Sequence, residues 1–94
     1  MGKVAMAIDS KLRRRFAPQR LSVEDDSQSH HGHAGWRDGG ETHFNVEIVS
    51  AAFEGQGRVA RQRLVYAELS EEFAAGLHAL ALVTLTPDED AARR

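Results

Sequence analysis

Glu41-Thr42-His43-Phe44-Asn45-Val46-Glu47-Ile48-Val49-Ser50-Ala51-Ala52-Phe53-Glu54-Gly55 joins an alternating run to a turn. Phe44, Val46 and Ile48 fall on one side and His43, Asn45 and Glu47 on the other, which predicts a strand with one apolar face. The following Ala52–Gly57 segment ends in two closely spaced glycines and reads as a turn. On its C-terminal side, Val59, Arg63, Tyr66 and Ser70 form a helical stripe with Leu64, Val65 and Leu69 beside it, so a helix starts near Arg58. Ser70-Glu71-Glu72 reads as a fresh helix start with Ser70 as N-cap, and Gly76 as its stop. Leu77 to Leu85 is apolar at nearly every position, the pattern expected of a central strand covered on both faces. Thr86-Pro87-Asp88-Glu89 is a capping box opening a short last helix.

On the N-terminal side, Leu21, Val23 and Asp25 alternate with Ser22, Glu24 and Asp26, predicting another strand. Val4, Ile8, Leu12 and Phe16 recur every four residues and predict an amphipathic first helix, stopped by Pro18. Arg13, Arg14 and Arg15 sit in its last turn, where cations suit the negative end of the helix dipole. The order αββααβα places the chain in the α+β class, as a three-stranded mixed sheet with helices on one face. One domain is expected over residues 1–94, with a flexible histidine-rich loop at about 27–40 and a C-terminal tail at about 87–94.

Composition narrows the function. With 41% hydrophobic and 28% charged residues the chain is globular rather than disordered. A net charge of -2 provides no overall pull towards nucleic acid, so any such binding needs a local basic patch. The absence of cysteine excludes disulfides, thiolate nucleophiles and thiolate metal ligands, so a partner would have to bring sulfur to any soft metal centre. Residues 1–9 are too short and too interrupted by charge for a signal peptide or membrane span, so a cytoplasmic protein without membrane contact is expected.

Five histidines stand out in 94 residues. His30, His31 and His33 share one polar, glycine-rich loop, where neutral imidazoles could turn towards one ion or simply remain solvated. His78 stands near the start of the last strand, on a face shared with Leu80 and Leu82 by period two. It reads either as a histidine satisfied by a backbone partner or as a rigidly held ligand facing a mobile one in the loop. His43 falls on the polar side of its strand and is expected to be exposed, or to support a ligand from behind. Arg58 and Arg61 face together on the second helix and Arg63 turns away. They suit phosphates or an acidic partner, or else ion pairs with Glu54 and Glu68. Enzyme templates fail: there is no Cys–His pair, no Gly-x-Ser-x-Gly elbow and no phosphate-cradling glycine loop.

Glu41-Thr42-His43-Phe44, Val49-Ser50, Phe53-Glu54-Gly55, Arg61-Gln62-Arg63-Leu64-Val65 and His78-Ala79-Leu80, in this order and spacing, resemble the BolA family from about Leu12 to Pro87. The resemblance implies a class II KH-like α/β sandwich and a non-enzymatic adaptor. Such adaptors bind monothiol glutaredoxins of the Cys-Gly-Phe-Ser type and share with them and glutathione a bridging 2Fe–2S cluster, in iron–sulfur trafficking or iron and redox regulation. It implies His78 as one ligand and a loop histidine as the other, His33 with His31 and His30 as alternatives, and no cluster held stably by the protein alone. It also implies an alternative, a DNA-binding transcriptional regulator acting through the second helix and the turn before it, with Arg58, Arg61 and Arg63 as contacts. The family usually carries Arg-His-Arg where this chain has Arg61-Gln62-Arg63.

Overall fold

The computed structural model describes residues 2–27 and 41–93. The elements are α1 (Lys3–Phe16), β1 (Arg20–Asp25), β2 (His43–Val49), a single 3-10 turn (Ala51–Phe53), α2 (Arg58–Glu68), α3 (Ser70–Ala74), β3 (Ala79–Leu85) and α4 (Pro87–Ala92). They fall in the predicted order and form a three-stranded mixed sheet, β1-β2-β3. β1 runs antiparallel to β2 with Leu21 opposite Ile48 and Val23 opposite Val46. β3 runs parallel to β2 with Leu80 opposite Phe44 and Leu82 opposite Val46.

The parallel pair requires a crossover, which α2 and α3 provide. Phe44, Val46 and Ile48 sit almost wholly out of water against Ile8, Leu12 and Phe16 of α1 and Val65 and Leu69 around α2. Each such side chain contributes about 1.5–3 kcal/mol on leaving water. The α1 stripe is Ala5, Ile8, Leu12 and Phe16, with Val4 half-buried at its edge. α1 ends at Ala17, whose φ of 43° is left-handed, with Pro18 following. Ser50, just after β2, donates its hydroxyl to the Phe16 carbonyl at 2.6 Å and so ties the end of α1 to the sheet.

Two local expectations change. The central strand is β2, and β3 lies at the edge. The apolar run in β3 comes from its core-side Leu80 and Leu82 alternating with Ala79, Ala81 and Val83, which face the open side and are exposed. A continuous apolar run therefore marked an edge strand of small residues rather than two covered faces. Ser70 is the first residue of α3 and not its cap. Leu69 alone separates α2 from α3, and its amide already bonds back to the carbonyls of Val65 and Tyr66, so no extended residue precedes the new helix. Gly76 does stop the segment: its φ of 127° suits glycine, and Leu77 bonds back to the Glu72 carbonyl at 3.0 Å. The capping box at Thr86 and Glu89 forms as predicted.

α1's start is capped from a distance. Glu41, with φ of 64°, points its carboxylate at the amides of Val4 (2.9 Å) and Ala5 (3.1 Å). Since α1 has no acidic residue in its first turn, Glu41 supplies the negative charge its dipole favours. Any side chain at Gly2 would run into that carboxylate.

Candidate functional site

The two ends of the sheet carry different chemistry. At one end, Thr42 leads into β2 at His43 and β3 is entered through His78. The Thr42 carbonyl accepts the amides of His78 (2.8 Å) and Ala79 (3.1 Å), so the residue leading into β2 holds the backbone of His78 directly. His78 lies one residue before β3 and its side chain is exposed, not turned into the core beside Leu80 and Leu82. His43, expected at the surface, is buried at 5% exposure. It follows the predicted alternation, opposite Phe44, but Ser27 bonds its amide and the His78 ring packs on its ring. The His43 and His78 rings meet with centroids 5.2 Å apart and a tilt of 55°.

A hydroxyl network builds this end. Ser27 Oγ accepts the amides of Thr42 (3.0 Å) and His43 (3.2 Å), and the His43 carbonyl accepts the Asp26 amide at 2.8 Å. Thr42 Oγ1 lies 2.9 Å from His43 Nδ1. Burial pushes the Asp25 carboxyl up, but hydrogen bonds from the Ser27 hydroxyl and amide and from the Glu41 amide outweigh it and hold the group below its ordinary value. Beside His78 lies a groove of about 440 Å³ lined by Tyr66, Phe73, Ala79 and Leu80. Tyr66 and Phe73 meet edge to face at 5.5 Å, and the Tyr66 hydroxyl donates to the Leu80 carbonyl at 3.3 Å.

His30, His31 and His33 lie outside the described residues. Among the described residues, no three His, Cys, Asp or Glu side chains converge as a metal-ligand set. His78 therefore presents one exposed imidazole, backed by a buried one, at the edge of an apolar groove.

The opposite end is clamped by charge. Arg61 lies in α2, with its side chain only 11% exposed. It donates to the carbonyls of Gln56 (2.8 Å) and Thr84 (3.2 Å) and grips both carboxylate oxygens of Glu89 on α4, at 2.6 and 3.2 Å. That pairing, followed by the Thr86 amide, pulls the Glu89 carboxyl down to about 2. Arg20 of β1 bridges Glu47 of β2 and Asp90 of α4, and Arg93 approaches Glu47 at 3.8 Å. Of the three arginines read as a possible phosphate surface, Arg61 is thus committed to holding α4. Arg58 and Arg63 are exposed and make no ion pair among the described residues. Arg61 pairs with neither Glu54 nor Glu68; its partner Glu89 lies 28 residues away, and no local spacing signals it.

A mixed β1-β2-β3 sheet with a helical crossover defines an α+β module, and a histidine stands at the threshold of its parallel edge strand. The chain belongs to the BolA family, whose model, described as BolA-like protein, matches residues 12–89. It is 48% identical over 93 residues to the SufE-like protein 1, chloroplastic/mitochondrial, of Arabidopsis thaliana, a match that covers 95% of this chain and 25% of that protein. It is 37% identical over 86 residues to the DNA-binding transcriptional regulator BolA of Haemophilus influenzae, covering 92% of this chain and 80% of that one. Among solved structures, the BolA domain of SufE1 from Arabidopsis thaliana is similar at a TM-score of 0.87 and 47% identity, covering 95% of this chain and 98% of that domain. The chain thus spans only a quarter of the length of the Arabidopsis relative. No helix among the described residues is long and apolar enough to cross a membrane.

Proposed function

We propose that the protein is a non-enzymatic adaptor that docks a monothiol glutaredoxin of the Cys-Gly-Phe-Ser type and shares a bridging 2Fe–2S cluster with it and with glutathione. The observation that carries this reading is His78: an exposed imidazole whose backbone is held by Thr42 and whose ring is backed by buried His43. The donor chemistry fits. A chain without cysteine offers imidazole, which iron accepts, while the thiolates come from the partner. His78 would be one ligand and a loop histidine the other, His33 first and His31 or His30 in its place. When bound, such a cluster supplies one-electron redox chemistry and a transferable iron–sulfur cargo. Within this chain, His78 presents its ring, Thr42 holds the backbone behind it, and the apolar groove at Tyr66 and Phe73 lies beside it.

The test is co-purification with a Cys-Gly-Phe-Ser glutaredoxin and glutathione, read by visible absorption and circular dichroism. A mixed complex whose spectrum differs from that of the glutaredoxin alone supports the reading. A complex with an unchanged spectrum sinks the shared ligation, and a visible cluster held by this chain alone contradicts its dependence on a partner. We propose the cytoplasm as its compartment; fractionation of the full chain separates this from the chloroplast and mitochondrion named for the Arabidopsis relative.

The name of the Haemophilus relative supports a second reading, DNA binding through α2. Here Arg58 and Arg63 are better probes than Arg61, which holds α4. Replacing both with alanine should lower the salt dependence of any DNA affinity by about two phosphate contacts. No measurable binding at low salt would remove this reading.

A further inference from the structure

We infer that Thr42 locks His43 with its ring proton on Nε2, making His43 a positioning residue for His78 and not a metal ligand in its own right. The shorter hydrogen bonds around Thr42 point the same way. Ser27 Oγ has two lone pairs, and the amides of Thr42 and His43 occupy both. Ser27 therefore has no acceptor capacity left for Thr42 Oγ1, which lies 3.4 Å away. The Thr42 side chain is wholly buried, and a buried hydroxyl proton without an acceptor is costly. The remaining acceptor is His43 Nδ1 at 2.9 Å.

A nitrogen that accepts a proton donor through its lone pair carries no hydrogen, so in a neutral ring the hydrogen sits on Nε2. An imidazolium would put hydrogens on both nitrogens and strand the Thr42 hydroxyl proton. With Nδ1 taken by Thr42 and Nε2 protonated, His43 has no lone pair to offer a metal. What it offers is a rigid ring packed 5.2 Å from His78 and an N–H dipole of fixed direction. Thr42 thus acts on His78 twice, through its carbonyl on the His78 amide and through its hydroxyl on the ring that backs His78. The proton assignment stands without any cluster; its consequence for a metal centre rests on the function proposed above.

The test is long-range nitrogen–proton correlation NMR on the 15N-labelled protein without metal. The expected pattern for His43 is one unprotonated nitrogen, Nδ1, and one protonated nitrogen, Nε2. The opposite pattern, or two protonated nitrogens, overturns the inference. Thr42→Val, which removes the hydroxyl at nearly constant volume, should shift His43 towards a mixture of tautomers, and Thr42→Ser should restore the wild-type pattern. An unchanged pattern in Thr42→Val would show that Thr42 does not set it. In the glutaredoxin complex, His43→Ala should keep the cluster but alter its visible circular dichroism. Complete loss of the cluster, equal to that in His78→Ala, would make His43 a ligand and overturn the positioning role. If the wild-type chain forms no shared cluster, the proposed function falls while the NMR result still decides the tautomer.

Discussion

The histidine end and the arginine end of the sheet are built from equally polar residues, yet they divide between presenting and holding. At the arginine end the clamping charges are consumed, Arg61 by Glu89 and two carbonyls and Arg20 by Glu47 and Asp90, with Arg20 Nε left buried without a hydrogen-bond partner among the described residues. At the histidine end the hydrogen bonds stop one residue short of the surface. Ser27, Thr42 and buried His43 bond to one another, and His78 stands in front of them, hydrogen-bonded among the described residues through its backbone. A side chain whose charge is paired within the fold is a fastener. A side chain held by its backbone and left open at its ring can bind.

The largest expected effect tests the open end. His78→Ala should abolish the mixed-ligand cluster while leaving docking of the metal-free glutaredoxin largely intact. As an exposed position it should change folding stability by less than about 0.5 kcal/mol. His33→Ala should weaken and alter the cluster without abolishing it, because His31 or His30 can take its place. Visible circular dichroism of the complexes, beside urea unfolding of each variant, distinguishes these outcomes; a wild-type spectrum in His78→Ala would end its assignment as a ligand.

The same measurements should give the reverse result at the closed end. Arg61→Ala leaves the carbonyls of Gln56 and Thr84 without their side-chain donor, and those two bonds alone are worth about 0.5–1.5 kcal/mol each. Stability should fall by at least that sum while the cluster spectrum stays as in the wild type. An Arg61→Ala protein as stable as the wild type would show that the clamp is ornamental. Thr86→Ala removes the α4 cap and should cost about 1 kcal/mol in the same unfolding assay, again with no change at the histidine end.

The smallest effect is a pH dependence. Glu89 is held at about 2 in the folded protein against an ordinary 4.5. A carboxyl lowered by folding stabilises the native state at pH above its unfolded value and loses that contribution as pH falls towards its folded value. The α4 clamp should therefore weaken between about pH 4.5 and 2. Because Glu89 sits at the surface the slope should be shallow, and shallower still in 0.5 M salt, a concentration of order well above that needed for screening. Glu89→Gln should flatten that part of the stability profile; an identical slope in the variant would assign it to other carboxyls, such as Asp25.

The sequence by itself determined the element order, the α1 stripe, the alternation of β2, the α4 capping box and the family, because these depend on residues close along the chain or on motifs in a fixed order. It also singled out His78. Tertiary structure alone decided the rest. Which strand is central depends on how the crossover closes, and hydrophobicity along β3 could not report that its second face of Ala79, Ala81 and Val83 remains open. The surroundings of His43 and the commitment of Arg61 include partners 16 to 35 residues away in the chain: Ser27 on the His43 amide, His78 against its ring, Glu89 on Arg61. Period and propensity describe what a residue does to its neighbours in sequence. Whether a polar side chain is spent or available is set by what the fold brings against it, and that is a property of the closed sheet.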